Sequence, residues 1–348
     1  MIPGVDVESV PKRYSRQVLF PGIGNSGQSR LMQSHVVLVG CGALGTVQAS
    51  LLVRAGVGRI RIIDRDFVEE SNLQRQILFD EDDVRSALPK AVAAANKLRP
   101  VNSLVEVESV VDDVHVGSID RLLKGVDLIL DATDNFETRY LINDYAVHTK
   151  TPWVYGACVG SYGLTFPIVP GDTPCLRCVF EHAPSPGTSP SCDTAGVIGP
   201  IVAVVAGMQV AEALKILCGA GDKVARTLTT VDLWDYRWDT IKLPSACPEC
   251  PCCGLREFSY LDGTLGADAT TLCGRNSVQI RARGDHAVNL DDLERRLAAV
   301  GTVERTRYLL RASIDDLNIT VFPDGRAIVV GTQDPAIAKS MYARYVGM

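Results

Sequence analysis

The sequence has no excess of positive charge. Its 35 Lys and Arg stand against 41 Asp and Glu, a formal net charge of −6, which leaves no basic footprint for nucleic acid. It has no basic-then-apolar start. Met1 to Pro11 carries Asp6 and Glu8, so no secretory signal is expected. It has no uninterrupted apolar run of membrane-spanning length. The most apolar stretch, Val197 to Met208, contains Pro200 and leads into Gln209, Glu212 and Lys215, so a buried helix is predicted and a membrane span is not. No internal repeat or low-complexity tract is visible. A cytoplasmic protein is expected.

What is present is ordinary for a globular chain: 46% hydrophobic and 22% charged residues over 348 positions, enough for one large and one small domain. The eleven cysteines sit in a long apolar chain rather than a small secreted one. Reduced thiols with a few metal-binding members fit better than a disulfide framework.

His35 to Val39 and Arg59 to Asp64 read as strands flanking a helix with Leu44, Val47, Leu51 and Leu52 on it. A βαβ unit of this kind implies a parallel sheet. Asp127 to Asp131 and Trp153 to Gly156 read as further strands, Ala91 to Leu98 as a helix stopped near Pro100. Glu181 to Gly196 is rich in Pro, Ser and Gly and reads as a long exposed loop. A helix from about Pro200 to Leu217, a strand from Leu228 to Trp238 and a Cys/Pro knot from Pro244 to Gly254 follow. After a Gly/Ala/Thr-rich linker near Asp262 to Thr271, the strands Ser277–Arg281, Thr306–Ser313, Leu317–Phe322 and Ala327–Val330, with helices at Leu290–Val300 and Pro335–Tyr345, read as a small α+β domain. The fold class is α/β: a Rossmann-like domain with a mostly parallel central sheet over 12–254, and an α+β domain of unassigned role over 272–348.

Gly40-Cys41-Gly42-Ala43-Leu44-Gly45 matches G-x-G-x-x-G between strand and helix. Glycines there let the backbone turn tightly and approach phosphate, and the helix N-terminus offers free N–H groups. Asp64 ends the second strand, where an acid can accept from ribose hydroxyls. These features predict a nucleotide and leave NAD and ATP both open.

The cluster Asn72-Leu73-Gln74-Arg75-Gln76 and Lys90 turns the choice toward ATP. Transfer at phosphorus builds charge on phosphate oxygens that fixed cations must meet. Asp131-Ala132-Thr133-Asp134 closes the next strand at the edge where open α/β sheets bind ligands, and a carboxylate there can hold Mg2+. Cys175-Leu176-Arg177-Cys178 is one C-x-x-C pair. Cys247/Cys250 and Cys250/Cys253 compete as the second. Two pairs suit a closed zinc site of four thiolates. Cys192, just before a helix, is either a reactive thiol or an inert loop residue. A helix N-terminus lowers a thiol pKa, and the neighbouring Asp193 raises it. Cys273 has no sulfur-transfer loop around it.

The segments Tyr14-Ser15-Arg16-Gln17, the glycine loop, Asn72 to Gln76, Pro89-Lys90 and Ala132-Thr133-Asp134-Asn135 closely resemble the ThiF/MoeB/HesA family. These are the adenylyltransferases of thiamine and molybdopterin synthesis, related to ubiquitin-activating enzymes. The resemblance runs from about Lys12 to Gly254. It implies ATP-dependent adenylation of the C-terminal Gly-Gly carboxylate of a small ubiquitin-like sulfur carrier, with Mg2+ and a structural Zn2+. It implies that Gly40, Gly42, Ala43, Leu44, Gly45, Asp64, Asp66, Asn72, Arg75, Gln76, Lys90, Asp134 and Asn135 line the nucleotide site, with Asp64 on the ribose, Asn72, Arg75 and Lys90 on the triphosphate, and Asp134 on magnesium. Arg16 would reach the phosphates from the partner of a homodimer. The family's C-P-x-C-G pattern favours Cys175, Cys178, Cys250 and Cys253 as the zinc set. Cys192 falls where some members carry a reactive cysteine, and a persulfide donor protein is a further implied partner. Two other readings are an NAD-dependent oxidoreductase, which leaves Arg75, Lys90 and the thiol pairs unexplained, and a non-catalytic carrier-binding homologue.

Overall fold

The computed structural model describes residues 10–184, 192–265, 269–272, 277–280, 288–306, 308–314, 316–323, 325–332 and 334–347. The chain divides into two compact units, one of residues 1–188 and 195–265, the other of 189–194 and 266–348.

In chain order the first unit contains α1 (Ser15–Val18), α2 (Gly24–Gln33), β1 (His35–Val39), α3 (Ala43–Ala55), β2 (Arg59–Ile63), α4 (Glu81–Arg85), α5 (Lys90–Leu98), β3 (Glu106–Val110), α6 (Ile119–Leu123), β4 (Leu128–Asp131), α7 (Phe136–Thr149), β5 (Trp153–Val159), β6 (Tyr162–Ile168) and α8 (Leu176–Val179). The short α9 (Cys192–Ala195) precedes α10 (Gly199–Cys218), β7 (Thr227–Asp232) and β8 (Arg237–Lys242). The sheet order is β3-β2-β1-β4-β5-β6-β7-β8. The first five strands are parallel and the last three add antiparallel. Side chains alternate across β1: Val36 and Leu38 enter one core with Ile60, Ile62, Leu128 and Leu130, while Val37 and Val39 enter the other with Ile63 and Ile129. Burial on both faces explains the continuous apolar runs of these strands.

The strand order reverses between β1 and β4, which opens a crevice at their carboxyl ends. The glycine loop leaves β1 there and residues 132–135 leave β4. Gly40 has φ +98°, and a Cβ on it would lie 2.4 Å from the carbonyl oxygen of Ala132. Both the backbone angle and the close approach require glycine.

The predicted helix after Pro200 is α10. By length and composition it alone among the described helices could cross a membrane. Its Ile201, Val202, Val205, Ala206, Val210 and Ala213 are buried against the sheet and α3, the position of a core helix. The predicted strand Leu228–Trp238 is instead a hairpin. β7 ends at Asp232 and the chain turns through Tyr236, at φ +55°, into β8. Every residue of β8 is exposed, so no apolar pattern announces it.

The second unit contains β9 (Ala269–Leu272), β10 (Ser277–Ile280), α11 (Leu290–Leu297), β11 (Thr302–Arg305), β12 (Leu310–Ile314), β13 (Leu317–Val321), β14 (Ala327–Val330) and α12 (Pro335–Tyr345). Its antiparallel sheet runs β11-β12-β13-β14-β10-β9. Leu290, Leu293 and Leu297 of α11 and Ala338, Met341 and Tyr342 of α12 share one core with the inward residues of β12, β13 and β14. The strand predicted at Thr306–Ser313 begins at Leu310, and β11 lies before it. Cys273 lies outside the described residues.

A Gly40→Ala substitution is expected to cost about 3 kcal/mol through backbone strain and overlap with Ala132. It should lower the melting temperature and weaken nucleotide binding together, read by thermal unfolding and nucleotide titration.

Candidate active site

The crevice is built from four loops. The first is the glycine loop. Its Cys41 N–H donates to Asp64 Oδ2 at 2.6 Å, while Asp64 Oδ1 accepts from the N–H of Asp66 at 2.7 Å. Asp64 thus fixes the loop and leaves its remaining lone pairs free for a ligand. Burial pushes its carboxyl above the usual range, opposed by the Lys90 ammonium and these N–H donors. A Cβ on Gly42 would meet nothing nearer than Gln76 Nε2, at 3.8 Å, so the space before the N-terminus of α3 is open.

The second loop carries Asn72, Arg75 and Gln76. Asn72 is buried, and its Oδ1 accepts from the Glu69 N–H at 3.1 Å. Half-buried Arg75 donates to Ser71 O at 2.8 Å. Gln76 is buried, and its Oε1 has no hydrogen-bond partner among the described residues. A buried carboxamide oxygen beside an open glycine loop suits a ligand that supplies a donor.

The third loop carries Lys90 at the start of α5. Its backbone N–H donates to Asp66 O at 2.9 Å and its Nζ lies 3.3 Å from Asp66 Oδ2. Lys90 is 4% exposed, so Asp66 supports the buried ammonium that a phosphate would meet.

The fourth loop carries Asp134, exposed between two clasped neighbours. On one side, fully buried Asp131 accepts from the N–H and Oγ1 of Thr133 at 2.9 and 2.7 Å. Its other oxygen accepts from Arg139 Nε at 3.0 Å. Arg139 also donates to the carbonyls of Thr133 and Gly156, at 2.7 and 3.2 Å. Burial works against the Arg139 charge, but Asp131, Tyr155 and Asp134 together more than offset it, so its pKa lies above the ordinary guanidinium range. On the other side, Asn135 caps α7 by accepting from the Thr138 N–H at 2.8 Å. Beneath the loop, Gln48 and Gln209 hydrogen-bond to each other at 2.7 Å and both donate to Asp131 O. Gln48 and Gln209 escape sequence reasoning because these partners lie 78 to 161 positions away, and Arg139 because it sits within a helix without a clean apolar stripe.

Arg16 is exposed and lies away from this crevice. The ring of Tyr14, two residues before it, packs on Gly56 at the C-terminal end of α3; a Cβ there would sit 2.4 Å from the ring. The glycine loop is at the other end. Thirteen residues of α3 at 1.5 Å each separate the ends by about 20 Å, longer than any arginine side chain.

A separate cluster joins Cys175, Cys178, Cys250 and Cys253, whose sulfurs all lie within 4.8 Å of one another. Three of the separations are 3.9, 3.7 and 3.4 Å. A tetrahedral ion about 2.3 Å from each sulfur sets such separations near ~3.8 Å, so the donors fit a metal. The neighbouring thiols of Cys178, Cys252 and Cys253 hold the Cys175 thiol well below its usual range. Cys247 is exposed and outside the set. Asn143 ties both arms of the knot, accepting from Leu176 N at 2.8 Å and donating to Cys252 Sγ at 3.2 Å. Cys192 is the first residue of α9; its side chain lies outside the described residues.

A Rossmann-type crevice with a glycine loop at its mouth, in one domain with a knot of four thiols whose donors suit a metal, defines the class of a nucleotide-binding domain. The chain belongs to the ThiF family, whose model matches residues 14–252. It is 47% identical over 337 residues to the sulfur carrier protein ThiS adenylyltransferase of Bacillus subtilis (strain 168), spanning 96% of this chain and 99% of that one. It is 41% identical over 242 residues to the SAMP-activating enzyme E1 of Haloferax volcanii, spanning 70% of this chain and 88% of that one. Among solved structures, E. coli MccB with MccA-N7isoASN is 23% identical with a TM-score of 0.63, covering 73% of this chain and 77% of that one. That likeness shows the fold.

Arg139→Ala is expected to destabilise the first unit by about 4 kcal/mol, because it strands the buried Asp131 carboxylate without its partner. Chemical denaturation of the purified variant measures this.

Proposed function

We infer that this chain is an adenylyltransferase that activates the C-terminal carboxylate of a ubiquitin-like sulfur-carrier protein with ATP, releasing pyrophosphate. The observation that supports the reading is that the loops bearing Gln76, Lys90 and Asp134 all border the glycine loop at the head of α3, in a chain similar over 96% of its length to a named sulfur-carrier adenylyltransferase. A carrier ending in Gly-Gly is the proposed substrate. The match to the ThiS enzyme extends across the second unit, whereas the matches to the Haloferax volcanii and Thermus thermophilus enzymes each span 70% of this chain. That difference supports a carrier of the ThiS type. In this reading residues 12–254 form the adenylation domain and 272–348 an accessory one. An NAD-dependent oxidoreductase would give Arg75, Lys90 and the four-thiol knot nothing to do.

The nucleophile is a carboxylate, ionised at neutral pH, so no general base is needed. It attacks the α-phosphate and pyrophosphate leaves. Gly40, Gly42, Ala43, Leu44 and Gly45 provide the phosphate cradle, Asp64 the ribose acceptor, and Asn72, Gln76 and Asn135 further contacts. Arg75 and Lys90 meet the charge that grows on the phosphate oxygens. Asp134 would hold Mg2+, which would supply positive charge against the phosphates. Arg16 completes the site from a second copy of the chain. Its own crevice lies a helix length away, and the neighbouring Leu19 and Phe20 are exposed apolar residues suited to a homodimer contact. The acyl-adenylate is then open to a sulfur nucleophile, the Cys192 thiolate or an external persulfide donor, with AMP leaving. A cytoplasmic setting keeps the thiols reduced. Cys175, Cys178, Cys250 and Cys253 would hold Zn2+ in a closed site that contributes stability and no chemistry.

Exchange of labelled pyrophosphate into ATP should depend on a Gly-Gly carrier. Arg75→Ala or Asp134→Ala should each lower it by at least about 100-fold; full exchange in either variant refutes the site. Loss of thiocarboxylate formation in Cys192→Ser would place that thiol in the sulfur step, and full retention would leave the step to the external donor. Metal analysis should find about one zinc per chain. Cys250→Ser should remove it and lower the melting temperature by about 10 °C or more.

A further inference from the structure

Asn102 lies in the turn after α5, far along the chain from Arg16, and is 2% exposed. A carboxamide offers two donor hydrogens and two acceptor lone pairs. Here all four are engaged. Nδ2 donates to the Tyr14 hydroxyl and to Val53 O, each at 2.8 Å. Oδ1 accepts from the Arg13 guanidinium and from the Leu104 N–H at 3.3 Å. Aspartate lacks the two donors and glutamine is one carbon too long, so asparagine matches the site as no other side chain does.

Three of these partners bear on the segment Lys12 to Val18. Arg13 and Tyr14 belong to it, and Val53 is in the last turn of α3, where the segment docks. A second tie follows Arg16. Gln17 Nε2 donates to Gln28 Oε1 at 2.6 Å and to Ala55 O at 2.9 Å, and Gln28 Nε2 donates to Ala55 O at 3.0 Å. The carbonyls at the end of α3, which lack intrahelical donors, are thus filled by side chains that grip the segment. The chain is pinned at Arg13, Tyr14 and Gln17, while Arg16 between them is exposed and has no hydrogen bond or ion pair among the described residues. Two buried amides fix the flanks of a surface arginine whose own guanidinium is left unengaged.

We propose that Asn102 is a positioning residue for adenylation in the neighbouring subunit: it fixes Lys12 to Val18 on the end of α3 so that Arg16 is presented, preordered, to the partner's nucleotide. Holding the arginine in place before the substrate arrives removes the ordering cost from the reaction. The proposal rests on the reading that Arg16 acts across the dimer.

The test uses full-length hybrid dimers made from two differently tagged chains and purified by both tags. One chain carries Asp134→Ala, so it can only lend its Arg16. The other carries Arg16→Ala, so it can only receive one. This parent hybrid should keep roughly half of wild-type exchange, because one of its two sites is complete. Asn102→Ala is then placed in either chain. In the lending chain it should lower exchange about tenfold or more through kcat, with the KM for ATP moving less. In the receiving chain it should change exchange by less than about twofold. A fall of equal size in both placements, or no fall in the lending chain, overturns the proposal. If Asn102→Ala does not fold, Tyr14→Phe removes one of the same ties and is read in the same two placements. If the parent hybrid itself is as inactive as the Asp134→Ala homodimer, the trans-acting Arg16 is wrong and the proposal falls with it. An active parent hybrid with no dependence on placement overturns the role of Asn102 alone.

Discussion

At the carboxyl ends of β1 and β4 two backbones approach so closely that residue 40 has no room for a side chain. The contact of Gly40 with the Ala132 carbonyl is what the crevice depends on. It brings the start of α3 beside the loop that carries Asp134, although the two are far apart in the chain. It also brings the N–H groups at the head of one helix and an exposed carboxylate to the same opening. A polyphosphate needs both, the first directly and the second through a divalent ion.

The charges around that opening are arranged in advance. Lys90 is buried but leans on Asp66, and Asp66 in turn lends its N–H to Asp64. Asp131 is buried but gripped by Arg139, whose remaining donors hold the carbonyls of Thr133 and Gly156. Each buried charge is therefore paired within the protein, and Asp134, the exposed one, stands between clamps. Such an arrangement meets new charge without rearranging, which is where electrostatic catalysis draws its strength.

Much of this is legible in the sequence, for definite reasons. β1 and β2 stand out because strands buried on both faces are continuous apolar runs. The glycine loop stands out because three glycines at fixed spacing follow such a run. β8 is hidden because all its residues face solvent, and the turn before it contains no glycine or proline. β6 is hidden in part by Pro167, which argues against a strand. α7 is hidden because it buries Arg139, Asn143 and Asp144 and so shows no clean apolar stripe. The site residues legible in sequence are those set at short offsets from a motif. Gln48, Gln209 and Asn102 are not, because each is defined by a partner that the fold alone brings near. The spacing alone leaves Cys247 and Cys253 as rivals; the family's C-P-x-C-G pattern favours Cys253, and the sulfurs that gather are that set, with Cys247 outside it.

The helix α3 has work at both ends. Its head opens onto the nucleotide crevice and its tail anchors the segment that bears Arg16. It therefore acts as a spacer of fixed length and pitch. Its surface positions can change identity freely, but its residue count cannot. One inserted residue would push the tail about 1.5 Å along the axis and swing it by about 100° relative to the head, pointing the segment Lys12 to Val18 at a different part of its surroundings. In the proposed dimer, the length of this one core helix would set where the second copy stands.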